Sequence, residues 1–339
     1  MMPTVLITPE ALYEKSGPYI DTLEAAGFDI RFPTDRDLAR GHLSEDQVVE
    51  QLTGITAAIA SGETYNHSVL SRLPDYKVIA RCGVGYDKVN VPEVTALNVP
   101  LTITPNSNHE AVAELSLMLL LGAAKNIFGM DKVCREGRWD RMLPRPIRGL
   151  TAGIVGLGRI GRSTAIRYKA MGMKLMAYDQ YPNMEFIQEH DVALVELETL
   201  LQQSDVVSVH CPLNDETRNM FNADRFQQMK EDSIFINTAR GGLVVEEDLL
   251  EALTNGKLHS AGLDVFQQEP PAADNPLLAL DNIVLTPHVA GTDQKSLVDM
   301  ACEAASYIVS MSRNQWPTGS VINQELAENW DWDTSRSRS

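Results

Sequence analysis

A glycine-rich loop between a short apolar run and a helical segment constrains this chain more than any other feature. Residues 156–161 fit the pattern G-x-G-x-x-G, follow the apolar run 152–155 and open a helical segment through Met171. In such a loop the first glycine permits a tight turn, the second lets a pyrophosphate approach the backbone, and the third allows close helix–strand packing. The pattern predicts a dinucleotide site that uses Gly156, Gly158, Arg159, Ile160 and Gly161.

An acidic residue stands where this kind of loop requires one. Asp179 follows the strand-like run 174–178, after the helix that the glycine loop opens. A carboxylate at this place hydrogen-bonds the hydroxyl groups of an adenosine ribose and repels a phosphate attached to them. The next residues are Gln180 and Tyr181, with no arginine to bind such a phosphate. The pattern therefore predicts NAD, rather than NADP, as the cofactor.

Length and composition fit an enzyme of about two domains. The chain has 339 residues and 44% hydrophobic content, which is ample for two packed cores. Its start lacks signal-peptide features, and the most apolar helix candidate, 115–124, is shorter than the roughly 20 residues that span a bilayer. A cytoplasmic location is expected. The four cysteines are scattered without C-x-x-C spacing, so they imply neither a disulfide framework nor a metal site.

The net charge is strongly negative. A formal charge of −17 disfavours nonspecific nucleic-acid binding, because a phosphate backbone needs a basic protein face. Neither a nucleic-acid partner nor a membrane is expected. An anionic substrate requires arginines that are gathered locally against the global charge.

Short apolar runs alternate with helical segments and predict an α/β fold. From Thr151 onward this alternation is the form of repeated βαβ units on a parallel sheet. The helical segments are 162–171, 194–203 and 247–255, and the last ends at Gly256 as a C-cap. The predicted strands of this half are 153–155, 175–178, 206–209, 234–237, 261–264 and 283–286.

The first part of the chain shows a second α/β pattern. Its predicted strands are 4–8, 29–32, 57–60, 78–81 and 101–103. A turn-rich passage, 104–108, then leads into a helix that is apolar on most faces and must be buried. After Gly291 the amphipathic run 295–311 carries the chain back, and the polar tail 326–339 is predicted to be disordered.

Reactive side chains follow three of the predicted strands. Arg240 follows strand 234–237, Glu269 comes shortly after strand 261–264, and His288 follows strand 283–286. In open parallel sheets, ligands gather outside the carboxyl ends of the strands. A guanidinium, a carboxylate and an imidazole form a workable set for redox chemistry on an oxyacid, and their spacing brings them to one edge of one sheet.

Several motifs together carry a family resemblance. They are the runs 81–87, 108–114, 156–161, 237–242, 262–266 with 269–270, and 286–291. With these motifs the chain resembles the D-2-hydroxyacid dehydrogenases, which include phosphoglycerate, glycerate and D-lactate dehydrogenases, from Val78 to about Asn323. The resemblance implies two Rossmann-like domains with the active site in the cleft between them. It implies a split substrate-binding domain, 1–103 with 292–325, an NAD-binding domain, 104–291, and a homodimer formed through the latter.

The resemblance assigns Arg240, Glu269 and His288 as catalytic residues. An imidazole, with an ordinary pKa of about 6.5, suits protonation of the substrate oxygen in ketone reduction and the reverse step in alcohol oxidation. Glu269, hydrogen-bonded to His288, would orient the ring and favour its protonated form. Arg240 offers a planar fork of donors to a 2-oxo carboxylate. The hydride must come from the nicotinamide, because no side chain supplies one.

The resemblance also extends the set of ligand-binding residues. The loop Gly83-Val84-Gly85 would offer backbone N–H groups to the substrate carboxylate. His210 is interpreted as a contact or scaffold residue rather than an acid–base catalyst. The predicted substrate-binding residues are Arg81, Gly83, Val84, Gly85, Arg240 and His288. Beyond the glycine loop and Asp179, the predicted cofactor-binding residues are Cys211, Pro212, Thr217, Thr238, Ala239, Arg240, Asp264, His288 and Gly291.

The substrate side chain is less constrained than the reaction. Arg81 occupies the place of an arginine that helps hold phosphate in phosphoglycerate dehydrogenases, but Ser61 stands where that subgroup has a second arginine. Arg141, Arg145 and Arg148 lie in a segment near the cleft in relatives and could compensate. A substrate of the phosphoglycerate or hydroxypyruvate type is favoured.

Two other classes of protein share the predicted fold. An NAD(H)-sensing binding protein like the C-terminal-binding corepressors keeps the same arginine, glutamate and histidine, and would show slow turnover with tight NADH binding. A methyltransferase on the same nucleotide fold would bind S-adenosylmethionine instead of NAD, and the third glycine, Gly161, argues against it.

Overall fold

The computed structural model describes residues 2–334, which form two compact units. The first unit contains the residues up to Asn108 together with those from Gln294 onward, and the second is His109–Asp293. The boundaries between the units lie later in the chain than predicted, because the predicted boundaries follow residues 103 and 291. The turn 104–108 stays with the first unit because Thr104 N–H donates to the Gly83 carbonyl at 3.0 Å and the Ser107 hydroxyl donates to Glu303.

The first unit is built on a parallel sheet. Its strands lie in the order β2-β1-β3-β4-β5, an order known from flavodoxin-like folds. They are β1 (Thr4–Ile7), β2 (Asp29–Arg31), β3 (Ala57–Ala60), β4 (Val78–Arg81) and β5 (Leu101–Thr102). The helices are α1 (Pro18–Ala25), α2 (Asp37–Arg40), α3 (Glu45–Leu52), α4 (His67–Leu70), α5 (Val91–Ala96) and a returning helix, Gln294–Ser312.

Both faces of this sheet are covered. Val5 and Ile7 of β1 pack into a cluster with α1 and the returning helix, whereas Leu6 packs into the cluster on the opposite face with α3 and α4. This alternation follows from the two-residue period of a strand. The buried strands therefore read as continuous apolar runs, as is usual for parallel sheets.

The segment that was predicted to be a disordered tail is partly structured. Trp330 and Trp332 pack against the cluster that holds α1 and the returning helix, and the Trp332 ring meets Phe28 edge-on at 5.9 Å. The prediction is therefore wrong for residues 326–334, because the polar composition concealed two large apolar anchors. The remainder of that segment, 335–339, lies outside the described residues.

The second unit contains a larger parallel sheet. Its order is β12-β11-β10-β9-β6-β7-β8. Read from the β8 edge, the first six strands along the chain follow the Rossmann dinucleotide-binding order 3-2-1-4-5-6, and β12 is added beyond β11. The strands are β6 (Thr151–Val155), β7 (Lys174–Tyr178), β8 (Ala193–Leu194), β9 (Val206–Val209), β10 (Ser233–Asn237), β11 (Leu258–Leu263) and β12 (Ile283–Leu285). The helices are α6 (His109–Lys125), α7 (Ile127–Arg135), α8 (Arg159–Ala170), α9 (Met184–His190), α10 (Leu197–Gln203), α11 (Ala223–Gln228) and α12 (Glu246–Thr254).

These elements confirm the predicted α/β class and correct one boundary. The predicted helix 194–203 begins only at Leu197, because Ala193 and Leu194 pair with β7 as β8. The Rossmann order arises because the chain reverses direction after β8 and adds β9 on the other side of β6. This reversal leaves a crevice at the carboxyl ends of β6 and β9, where such sheets bind ligands.

The apolar helix that was expected to be buried is α6. Leu119, Leu120, Ala123 and Ala124 lie in a cluster with the sheet and α8. Over residues 2–334, no single helix is long and apolar enough to cross a membrane. Within that range, only α6 and α7 taken together have the required length and apolar composition, and the two helices are bent by 60° relative to each other.

Candidate active site

The glycine loop has the geometry that its pattern predicts. Gly156 adopts φ +93°, and an added Cβ would lie 2.7 Å from the Cys211 backbone nitrogen. A Cβ on Gly161 would lie 2.0 Å from the Gly156 carbonyl oxygen, whereas one on Gly158 would meet no atom within 4 Å. The first and third glycines therefore serve turn and packing, and the second leaves open space at the N-terminus of α8. This open space, beside backbone N–H groups at a helix start, fits a pyrophosphate.

Asp179 lies at the carboxyl end of β7, beside the glycine loop. One carboxylate oxygen accepts the Leu157 N–H at 2.5 Å and the other accepts the Tyr181 N–H at 2.7 Å. These bonds fix the carboxylate at the end of the strand that neighbours β6. The arrangement fits an acid that receives the ribose hydroxyls of NAD.

The loop after β9 is packed tightly against the glycine loop. Cys211 contacts the core, and burial raises the pKa of its thiol to about 11. The Thr217 hydroxyl donates to the Pro212 carbonyl at 2.7 Å, which closes the loop on itself. His210 hydrogen-bonds the Ser208 hydroxyl at 2.9 Å, and burial lowers the pKa of its imidazole to about 3. A histidine held neutral in this way supports the interpretation of His210 as scaffold.

The loop after β10 presents Arg240. Asn237 holds this loop, since its side-chain oxygen accepts the Ala239 N–H at 3.0 Å and its side-chain nitrogen donates to the Arg240 carbonyl at 2.9 Å. The Arg240 guanidinium donates to the Ala239 carbonyl at 2.7 Å. The Thr238 hydroxyl pairs with Ser116 of α6 at 2.9 Å and is buried. Thr238 therefore ties the loop to the core.

Sequence reasoning missed the role of Gly241. A Cβ on this residue would lie 1.9 Å from the Phe266 carbonyl carbon, so the backbone after Arg240 touches the backbone that leads to Glu269. No side chain larger than hydrogen fits this contact. The signal in the sequence was a glycine directly after a candidate catalytic residue, but its partner loop was not predictable from spacing.

His288 and Glu269 form a direct pair. Nδ1 of His288 lies 2.6 Å from Oε2 of Glu269, while Oε1 of Glu269 accepts the Phe266 N–H at 3.1 Å. With Nδ1 engaged, the other ring nitrogen, Nε2, is the atom available for proton transfer. The His288 side chain is 47% exposed, so the imidazole is accessible to a ligand.

The carboxylate of Glu269 is kept ionised by its surroundings. Partial burial raises its pKa, but the hydrogen bond and charge of His288, the Phe266 N–H and the charge of Arg240 outweigh burial and hold the pKa below its usual value. A fixed anion beside an imidazole stabilises the imidazolium. The contact of Gly241 with the Phe266 backbone and the pair of His288 with Glu269 bring together the loops that carry the three predicted catalytic groups in the second unit.

Asp264 supports the loop that carries His288. Its buried carboxylate accepts the Thr286 hydroxyl at 2.6 Å and the N–H groups of Val289 and Ala290 at 2.9 Å each. Burial raises the pKa of Asp264, although these donors and the charge of His288 oppose the increase. The carboxylate therefore fixes the segment from β12 to Gly291, in which His288 adopts φ +52°.

The predicted substrate-side residues lie in the first unit, at the carboxyl end of β4. Gly83 adopts φ +144°, and its N–H donates to the Thr104 hydroxyl at 2.8 Å. Arg81 donates from Nε to the Gly85 carbonyl at 2.9 Å, which fixes the guanidinium against the loop Gly83-Val84-Gly85.

Two of the three arginines suggested to compensate for Ser61, Arg145 and Arg148, lie away from Arg240 in the structure. Arg145 pairs with Asp232 at 2.8 Å, and Asp232 immediately precedes β10. Arg148 lies beside Gly172, which precedes β7. Both arginines therefore lie at the amino edge of the second unit's sheet, opposite the edge that carries Arg240.

Comparison with known proteins places the chain in one family. The family model described as "D-isomer specific 2-hydroxyacid dehydrogenase, NAD binding domain" matches residues 117–290. A D-3-phosphoglycerate dehydrogenase of Archaeoglobus fulgidus is 34% identical over 317 residues, which cover 93% of this chain and 59% of that enzyme. A glyoxylate reductase of Korarchaeum cryptofilum is 36% identical over 292 residues, which cover 84% of this chain and 88% of that enzyme.

A solved structure with bound ligands is also similar. D-lactate dehydrogenase from Aquifex aeolicus, complexed with NAD and lactic acid, superposes with a TM-score of 0.79 at 26% identity. The match covers 94% of this chain and 98% of that one. The similarity therefore extends over both units.

Proposed function

This chain belongs to the D-isomer specific 2-hydroxyacid dehydrogenase family, and from that membership we propose that it is an NAD-dependent oxidoreductase interconverting a D-2-hydroxy acid and a 2-oxo acid. The observation that carries the proposal is the 2.6 Å contact between His288 and Glu269, on the sheet edge that also carries Arg240. NAD, the cofactor of this family, would be held by the glycine loop and Asp179 and supplies the hydride when bound.

The chain's own residues have three tasks in this reaction. Arg240 binds the carboxylate of the 2-oxo acid through two parallel N–H groups and so orients the carbonyl carbon. His288, protonated and stabilised by Glu269, donates a proton from Nε2 to the carbonyl oxygen as the carbon is reduced. In the oxidative direction the neutral imidazole removes that proton from the hydroxyl group. The ionised Glu269 lowers the free energy that is needed to protonate His288 in each catalytic cycle.

The substrate is proposed to be a small 2-oxo acid of the hydroxypyruvate or phosphohydroxypyruvate type. The named relatives act on different members of this class, since one is a phosphoglycerate dehydrogenase and another a glyoxylate reductase. Arg81 supports an anionic or strongly polar substrate, because its guanidinium is fixed at the carboxyl edge of the first unit's sheet.

A substrate panel tests the proposed activity. Loss of NADH absorbance is measured with glyoxylate, hydroxypyruvate, pyruvate, oxaloacetate and phosphohydroxypyruvate. We expect turnover with several of them and the highest kcat/KM with a three-carbon acid that bears an oxygen substituent on C3. NADPH should be a poorer reductant, because Asp179 repels a ribose phosphate. Tight NADH binding with negligible turnover on all five acids would instead favour a cofactor-sensing binding protein.

We also propose that the protein is a homodimer through the second unit. Several large apolar side chains of this unit are exposed, and Leu143 is fully so. Large apolar side chains that are exposed together on one part of a monomer are typical of an interface. The exposed residues lie on α6, α7, α8 and the segment that follows α7, and they are Met118, Ile127, Phe128, Trp139, Met142, Leu143 and Ile166.

Charge placed in this surface should dissociate the dimer. We expect the wild-type protein to have twice the monomer mass by light scattering, and the double variant Phe128→Glu, Leu143→Glu to have the monomer mass, because burying carboxylates without partners is strongly unfavourable. Met184→Glu, which alters an exposed apolar residue on α9, is the matched control and should leave the mass unchanged. A wild-type monomer at micromolar concentration would overturn the assembly proposal.

A further inference from the structure

A fully buried carboxylate lies at the carboxyl edge of the first unit's sheet. Glu63 follows β3 and is 0% exposed. Arg81 ends the neighbouring strand, where it pairs in register with Ala60 of β3. A carboxylate removed from water needs hydrogen bonds, an opposite charge, or both.

Donors surround both oxygens of this carboxylate. The Ser61 N–H donates to Oε2 at 2.9 Å and the Tyr65 hydroxyl donates to Oε1 at 3.0 Å. Tyr76 donates to the Tyr65 oxygen at 2.9 Å, so the Tyr65 proton is directed at Glu63. The Thr8 hydroxyl lies 2.8 and 3.0 Å from the two oxygens. This set of donors matches an ionised carboxylate, which only accepts hydrogen bonds.

The opposite charge is that of Arg81. Burial leaves the pKa of Glu63 above its usual value, although the charge of Arg81, the Thr8 hydroxyl and backbone donors oppose the increase. Arg81 itself is held on the Gly83-Val84-Gly85 loop by its bond to the Gly85 carbonyl. The donors around its two oxygens favour the ionised form of Glu63, and in that form its buried negative charge offsets the positive charge of Arg81 that is predicted to face the substrate.

We propose that Glu63 is a specificity-determining residue: by offsetting the charge of Arg81, it makes the enzyme prefer 2-oxo acids whose only charge is the carboxylate over their phosphorylated counterparts. A phosphate group near Arg81 would also meet the buried charge of Glu63, which solvent screens poorly. A neutral hydroxyl group in the same place incurs no such repulsion. The inference rests on the proposed function and on the predicted contact between Arg81 and the substrate.

The first test uses the wild-type enzyme. D-glycerate and 3-phosphoglycerate are compared as competitive inhibitors of hydroxypyruvate reduction, and kcat/KM is compared for hydroxypyruvate and phosphohydroxypyruvate. We expect the unphosphorylated compound to be favoured by about tenfold or more in each pair, the effect of one poorly screened charge. Equal or stronger binding of the phosphorylated compounds overturns the inference while leaving the proposed dehydrogenase activity intact. Absence of NADH oxidation with every 2-oxo acid would instead reject the proposed function.

The second test changes the buried charge alone. Glu63→Gln keeps the shape and removes the charge, and it should shift the ratio of the two kcat/KM values toward phosphohydroxypyruvate by about tenfold. Glu45→Gln removes an exposed carboxylate of the first unit and leaves Glu63 unchanged, so its ratio should equal that of the wild type. A folded Glu63→Gln variant with an unchanged ratio, or a Glu45→Gln variant with the same shift, overturns the inference. If Glu63→Gln does not fold, the wild-type inhibition comparison still tests the inference, because equal or stronger binding of the phosphorylated compounds overturns it.

Discussion

Asparagine in place of His288 is expected to lower kcat for 2-oxo acid reduction by about 10³-fold, the usual contribution of a positioned general acid. Asparagine is preferable to alanine here because His288 adopts φ +52°, a left-handed conformation that asparagine tolerates. The loop should therefore keep its hydrogen bonds to Asp264. NADH binding, followed by the change in nicotinamide fluorescence, should stay close to that of the wild type.

A matched control separates this effect from a general loss of stability. His259 pairs with Asp232 at 3.0 Å near the amino end of β11, at the edge of the sheet opposite His288. His259→Asn should therefore leave kcat unchanged. Full activity in the His288→Asn variant would show that the imidazole does not transfer the proton. The proposed role of Glu269, which acts through that imidazole, would then fail as well.

Replacing Glu269, the partner of His288, is expected to change the pH dependence of turnover. The pKa of Glu269 is held below its usual value, so its carboxylate is already charged at every pH where an imidazole takes up a proton. In Glu269→Gln this charge is absent and the imidazolium loses its stabilisation. Because reduction requires the protonated ring, the pH at which reductive turnover declines should move to lower values. An unchanged pH profile would show that the 2.6 Å contact does not stabilise the charged ring.

Replacing Arg240 with lysine is expected to lower kcat/KM by about 10³-fold although the positive charge is kept. A lysine offers a point charge, whereas the planar guanidinium can bind a carboxylate through two parallel hydrogen bonds and fix the carbonyl in one orientation. Losing that orientation acts on the transition state, so most of the decrease should appear in kcat. Steady-state kinetics with the preferred 2-oxo acid measures both parameters.

Arg145→Lys is the control for the arginine replacement. Arg145 pairs with Asp232 at the amino edge of the same sheet, away from the predicted substrate. It should retain wild-type kinetics. If Arg240→Lys also retained them, the carboxylate of the substrate would have to be bound elsewhere, with the Gly83-Val84-Gly85 loop as the remaining predicted group.

Much of the fold was predictable because local patterns were unambiguous. Strands Ala57–Ala60, Val78–Arg81 and Val206–Val209 have the predicted bounds, since each is a short apolar run with clear flanking signals. The three glycines of the dinucleotide loop were predictable for the same reason, because each requirement concerns backbone only a few residues away. The short β8 was missed because its two residues are exposed and carry no pattern of their own.

The surroundings of the reactive groups were less predictable. Burial of Glu63 depends on donors from Thr8 and Tyr65, one of which is far away in sequence, and in the sequence it reads as an ordinary loop carboxylate. The misplacement of Arg145 has a related origin, since its partner Asp232 lies 87 residues away. A segment's distance from the site in space cannot be derived from its composition.

By itself the sequence determined that this chain folds as an α/β protein, has the glycine loop of a dinucleotide site at residues 156–161, and carries an arginine, a glutamate and a histidine after strand ends. Those features depend on local backbone requirements and on the common direction of parallel strands. Only the tertiary structure decided that Glu269 contacts His288, that Gly241 lets two loops touch, and that Glu63 is buried beside Arg81. These contacts join residues whose proximity is set by packing of whole elements, which no local pattern encodes.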